Sequence, residues 1–153
     1  MSLQYGPAEL LPGDKISITT DTSTEPFWSM ARERKLTACQ CGACGHFRMP
    51  PTPYCPECQC PDMIWPELPG TATVFSFAIC TRSPYSGEPL VYVPVVVDLD
   101  GAPGARLVSN LVGINAEDVE IGMKVSIDWN PIRDGWLLPI FRPALTEERH
   151  ETA

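Results

Sequence analysis

Histidine is nearly missing from this chain, with only His46 and His150 among 153 residues. No Ser-His-Asp or Cys-His set can be assembled around them, and no G-x-G-x-x-G or Walker-type loop offers backbone amides to a phosphate. Taken alone, the chain reads as non-catalytic. Positive charge is also scarce: 11 Lys and Arg stand against 19 Asp and Glu, a formal net charge of -8. Four thiolates around a divalent cation would add about two more negative charges. Affinity for a phosphate backbone comes from counterions released opposite Lys and Arg, so nucleic acid is a poor partner for this surface. Long apolar runs are absent as well. None approaches the ~18 residues needed to cross a bilayer, and no basic-then-apolar leader opens the chain, so the expectation is a cytoplasmic protein.

Cysteine, by contrast, is plentiful and crowded. Six of the seven cysteines lie in Cys39–Cys60, "CQCGACGHFRMPPTPYCPECQC". Within it, C-G-A-C from Cys41 to Cys44 and C-P-E-C from Cys55 to Cys58 are separated by ten residues. Paired C-x-x-C turns at this distance present two thiolates each to one tetrahedral ion, the pattern of a zinc ribbon; an odd cysteine count without a secretory signal argues against a disulfide framework. Cys41, Cys44, Cys55 and Cys58 are the expected ligands. Zinc is the expected metal, one per chain, with the single iron of rubredoxin-type sites as the alternative. Each turn needs a residue that tolerates positive φ after its second cysteine; Gly45 suits this, and Gln59 suits it less. Cys39 and Cys60 flank the set as free thiols, Cys80 reads as a core residue of a strand, and His46 as a bystander rather than a ligand.

The remaining pattern is mainly β. Residues 1–23 read as an extended arm, ordered only where something covers it, with one alternating piece at Lys15–Thr19. Thr24-Glu25-Pro26 carries the signature of a helix start, so residues 24–36 are expected to hold a helix running to about Lys35. Phe27, Met30 and Ala31 share one of its faces and Trp28 an adjoining one; they pack either on the chain's own core or, with Phe27, Trp28 and Met30 as interface residues, on a partner. The ribbon takes residues 37–69. From Gly70 to Pro143 five strands are expected: Thr71–Arg82, Leu90–Asp100, Ala105–Val112, Lys124–Trp129 and Gly135–Arg142, with a helical turn at Asn115–Asp118 before the fourth. Phe75, Phe77 and Ile79 are placed on one side of the first strand, and Val91, Val93, Val95, Val97 and Leu99 on one side of the second. Five strands with a helical insert between the third and fourth are the element order of an OB-fold barrel. Pro94 cannot donate to a ladder, which predicts a bulge or an exposed edge. Residues 144–153 read as a charged tail.

Taken together, "PFWSMARERKL", the C-x-x-C-G ribbon, "PPTPYCPEC", "GTATVFSF", "LVSNLVG", "EDVEIGMKVSI" and "LPIFRP" resemble the family of zinc-ribbon/OB-fold proteins that accompany acyl-CoA enzymes. The likeness spans Glu25 to Pro143. It implies an N-terminal helix, a rubredoxin-like zinc ribbon and a C-terminal five-stranded OB barrel. The function implied is that of an accessory or scaffold subunit in a hetero-oligomer with a thiolase-fold catalytic subunit: a thiolase, an acyltransferase or a retro-aldolase. Such a subunit stabilises its partner and shapes the channel for the acyl-CoA substrate, and is not an enzyme alone. Two alternatives stand beside it: an accessory subunit of a MaoC-like enoyl-CoA hydratase, and a single-stranded nucleic-acid-binding protein suggested by the barrel alone.

Overall fold

A computed structural model describes residues 4–145. The charged tail from Thr146, with His150, lies outside the described residues.

One ladder ties the ribbon to the barrel. β1 (Gln40–Cys41) pairs antiparallel with β2 (Met63–Ile64), the Thr37–Glu67 bridge continues the same register, and the Leu68 amide donates to the Leu36 carbonyl at its base. Leu36, Ala38 and Leu68 at this base join the same hydrophobic core as Val93, Val95, Val97 and Phe141 of the barrel.

The barrel is built from β3 (Thr71–Phe77), β4 (Cys80–Arg82), β5 (Pro89–Leu99), β6 (Arg106–Leu111), β7 (Lys124–Pro131) and β8 (Leu137–Pro143). β3 pairs with β5 and β7, β5 with β6, β7 with β8, and β6 runs parallel to β8, so the sheet closes on itself. This is the five-strand OB barrel expected from the element order, with the first strand broken in two as β3 and β4. A short 3-10 turn, Ala116–Asp118, stands between β6 and β7 where the helical insert was expected.

Two local expectations change. Ala72 and Val74 face the core and Phe75 points outward under the Arg106 guanidinium, while a bulge between Val74 and Ser76 reverses the pleat so that Phe77, opposite Val95, packs on the core and no longer shares a side with Phe75. Pro94 lies in an unbroken central strand, opposite Asn110 of β6. In extended chain the N and O of one residue point to the same side, and the Pro94 carbonyl accepts from the Ala78 amide in the gap between β3 and β4. The missing donor thus falls where the neighbouring strand is interrupted, and the irregularity sits in β3–β4 instead of β5. On β8, Pro139, Ile140 and Phe141 are all buried, because the strand is covered on both faces.

Helix α1 spans Glu25–Arg32 and packs against β8, shorter than the stretch to Lys35 read from the sequence; Arg34, at φ 61, takes the left-handed conformation that ends it. Thr24 makes no side-chain cap. Asp21 does the local work, accepting from the Ser23 and Thr24 amides in an Asx turn. The arm lies along the barrel: the Ala8 amide donates to Ile114 and Glu9 to Val91, and the Tyr5 and Gly6 amides both donate to the Glu117 carboxylate. The alternating piece Lys15–Thr19 forms no strand; it follows a 3-10 turn at Gly13–Lys15 and touches the barrel where the Arg133 amide donates to Ile16.

Candidate functional site

The two cysteine turns are built alike. In the first, the Cys41 amide donates to the His46 carbonyl and the Gly45 amide returns to Cys41; in the second, Cys55 donates to Cys60 and Gln59 returns to Cys55. Gly45 and Gln59 both take positive φ, 81° and 66°. Each turn aims amides at its first sulfur: Ala43 and Cys44 at Cys41 Sγ, and Glu57 at Cys55 Sγ.

The result is a four-sulfur cluster. All four Sγ atoms of Cys41, Cys44, Cys55 and Cys58 lie within 4.8 Å of one another, with Cys41–Cys58 at 3.5 Å and Cys44–Cys55 at 3.6 Å. With metal–sulfur bonds of ~2.3 Å, the edge of a thiolate tetrahedron is about 3.8 Å, so the spacing fits one tetrahedral ion. The Cys44 and Ala43 amides pull the Cys41 thiol down to about 6, while, against the Cys60 amide, the adjoining Cys41 sulfur pushes Cys58 up to about 12, so the close-set thiols share their protons unequally. Cys39 and Cys60 stand outside the cluster; Cys39 is fully buried, and burial pushes its thiol up. His46 is no part of the set. Cys80, expected in the core, is instead half-buried and outside the core cluster, because β4 is a short strand at the edge of the sheet.

Beside Cys39 sits a residue that the sequence did not single out. Arg48 is 5% exposed, and its two terminal guanidinium nitrogens have no partner; only Nε is used, donating to the Thr52 carbonyl at 2.9 Å. It is the one Lys or Arg between the two C-x-x-C turns, but nothing in the sequence shows that it is buried away from any carboxylate.

A second feature is apolar. A half-open pocket of about 350 Å³ lies between the arm, α1 and the outer barrel wall, lined among others by Leu11, Ile18, Trp28, Tyr92, Leu107 and Leu138. No His, Cys, Lys, Arg, Asp or Glu lines it. Phe27 is buried in the core and also reaches the pocket; Trp28 is half-buried, edge-on to Phe27 at 5.1 Å and to Trp136 at 6.4 Å, and Arg32 lies 3.7 Å over the Trp136 ring. Met30 is half-buried and stands away from the pocket.

Comparison with known proteins agrees with this geometry. Residues 28–62 match the family described as "ChsH2, rubredoxin-like zinc ribbon domain", and residues 65–130 match "ChsH2, C-terminal OB-fold domain". The chain resembles the solved "Ltp2-ChsH2(DUF35) aldolase" at 35% identity and a TM-score of 0.76, covering 84% of this chain and 100% of that one. A DUF35-family protein of unknown function from Sulfolobus solfataricus shares the fold at 19% identity and a TM-score of 0.59, over 82% of this chain and 87% of that one. Among curated proteins, it is 40% identical over 123 residues to a "Probable enoyl-CoA hydratase alpha subunit" of Thermomonospora curvata, covering 80% of this chain. It is 28% identical over 110 residues to a "DUF35 domain-containing scaffold protein" of Methanocaldococcus jannaschii, covering 70% of this chain and 77% of that protein. The chain spans only 38% of the length of the Thermomonospora protein.

Proposed function

The chain belongs to the DUF35 family of ChsH2-type zinc-ribbon/OB-fold proteins, and from that membership we propose that it is a non-catalytic scaffold subunit of an enzyme complex acting on acyl-CoA thioesters. Its catalytic partner is a thiolase-superfamily subunit whose own side chains carry out the acyl transfer or the carbon–carbon bond chemistry. The observation that carries this reading is the pocket under Trp28, which offers apolar surface for an acyl chain; its lining holds no His, Cys, Lys, Asp or Glu to activate the Ser109 hydroxyl, which donates to the Pro139 carbonyl, or the Tyr92 phenol. The likeness to an aldolase assembled with a DUF35 protein, and to a scaffold protein, supports it.

Cys41, Cys44, Cys55 and Cys58 hold one zinc in this proposal. A closed four-thiolate site leaves no position for substrate or water, so the ion supplies folding energy and rigidity, not catalysis. The ribbon then presents a stiff surface to the partner with little core of its own.

A second reading, an accessory subunit of a MaoC-like enoyl-CoA hydratase, draws on the name of the Thermomonospora relative. Purification of the tagged chain from its native source, with identification of the co-eluting subunit, separates the two. A thiolase-fold protein is expected; a hydratase would select the second reading. Reproducible thioester turnover by the metal-loaded chain, free of any partner, would overturn both.

A further inference from the structure

Arg48 is a cation buried without an anion. Among the described residues four ion pairs form, Lys35–Glu33, Arg106–Asp98, Lys124–Asp100 and Arg142–Asp128, and none involves it. Leaving a guanidinium in the interior unpaired is strongly unfavourable, so a compensating negative charge is required.

The hairpin register shows where that charge is. Gln40 bridges Phe47, the Arg48 amide donates to the Cys39 carbonyl at 2.9 Å, and the Cys41 amide donates to His46 at 2.8 Å. Residues opposite one another in an antiparallel pair share a face, and so do residues two apart on one strand. Arg48, Cys39 and Cys41 therefore lie on the same face of the hairpin, with Arg48 opposite Cys39 and one rung from Cys41, the first of the four clustered cysteines. Nε holds the Thr52 carbonyl, on the segment leading to Cys55, so the side chain lies between the two halves of the cluster's frame.

We infer that Arg48 is a built-in counter-charge of the metal–thiolate centre, offsetting half of the net charge of -2 that four thiolates and a divalent ion carry together. The inference rests on the zinc reading given above. It assigns Arg48 the role of a positioning residue: it touches no metal, and it offsets charge on the inner side of the centre, where Cys41 and Cys55 are buried while Cys44 and Cys58 face out. The two Nη groups make no hydrogen bond, so the compensation acts through charge across the hairpin face and not through a direct bond to sulfur.

The test compares Arg48→Lys, Arg48→Gln and Arg48→Met in the full chain. Zinc content of the purified protein is measured first, and zinc affinity is then read by competition with a chromophoric chelator. We expect Arg48→Met and Arg48→Gln to weaken zinc binding by about 10- to 100-fold, the range seen for groups around a metal's ligands, and Arg48→Lys to retain affinity within about tenfold of the parent. The glutamine variant separates charge from structure, because its amide can still donate to Thr52 while carrying no charge. Rescue by glutamine as complete as by lysine, or unchanged affinity in all three, overturns the inference while leaving the zinc reading intact. A parent protein that holds no zinc overturns both. If the methionine variant does not fold, the lysine–glutamine comparison still decides.

Discussion

Gln59 adopts, at φ 66°, the conformation that Gly45 adopts at 81° in the other turn. A side chain there is strained by about 1–2 kcal/mol, so the two positions should respond oppositely. Gly45→Ala is expected to destabilise the metal-loaded ribbon by roughly that amount, and Gln59→Gly to be neutral or stabilising by up to about 1 kcal/mol, measured by urea unfolding. The cysteines make a sharper division. Cys41→Ser or Cys55→Ser should strip the metal and unfold the ribbon, since binding energy in such sites is folding energy. Cys60→Ser and Cys39→Ala should keep one zinc per chain by elemental analysis; metal loss in either equal to that of Cys41→Ser would redraw the ligand set. The four sulfurs could be picked out in the sequence because two short turns fix them locally. Arg48 could not, because its isolation from any carboxylate is a property of the folded interior.

Helix α1, at eight residues, is too short to be stable by itself and owes its place to the wall it covers. Trp28→Ala should therefore cost about 2 kcal/mol in the isolated protein, through lost contacts to Phe27 and Trp136, with zinc content unchanged. An unchanged melting temperature together with weakened partner binding would assign Trp28 to the interface alone. The arm is held differently, by the Tyr5 and Gly6 amides on Glu117. The Tyr5 amide foremost holds the Glu117 carboxyl below its ordinary value of 4.5. A depressed folded pKa contributes stability above the unfolded value that is lost as pH falls through the folded one. Hydrogen exchange at Tyr5 and Gly6 should thus lose protection as pH drops below 4.5, and Glu117→Gln should flatten that dependence. Element types were legible from period-two and helical spacing; the bulge at Val74–Ser76 was not, since alternation alone grouped Phe75 with Phe77 and Ile79 and only pairing with β5 separated exposed Phe75 from core-packed Phe77.

Across the whole molecule, net charge and its distribution decide which partners fit. Arg106, Lys124 and Arg142 on the barrel each lie against an aspartate, at 2.8, 3.4 and 2.7 Å, so even these strand cations are not free for phosphates. Single-stranded DNA is expected to show no measurable binding at moderate salt in fluorescence anisotropy; tight binding lost steeply as salt rises would revive the nucleic-acid reading. No described helix is long and apolar enough to cross a membrane. The sequence by itself determined the ribbon, the strand count and their order, because cysteine spacing and side-chain alternation act within a dozen residues and leave their mark on the chain. Only the tertiary structure decided how β3 breaks opposite Pro94, how the arm and α1 roof an apolar pocket on the barrel wall, and that Arg48 shares a buried face with Cys41. Those features depend on which distant segments meet, and burial turns a missing donor, an apolar wall or a lone charge into an energetic demand that no local pattern records.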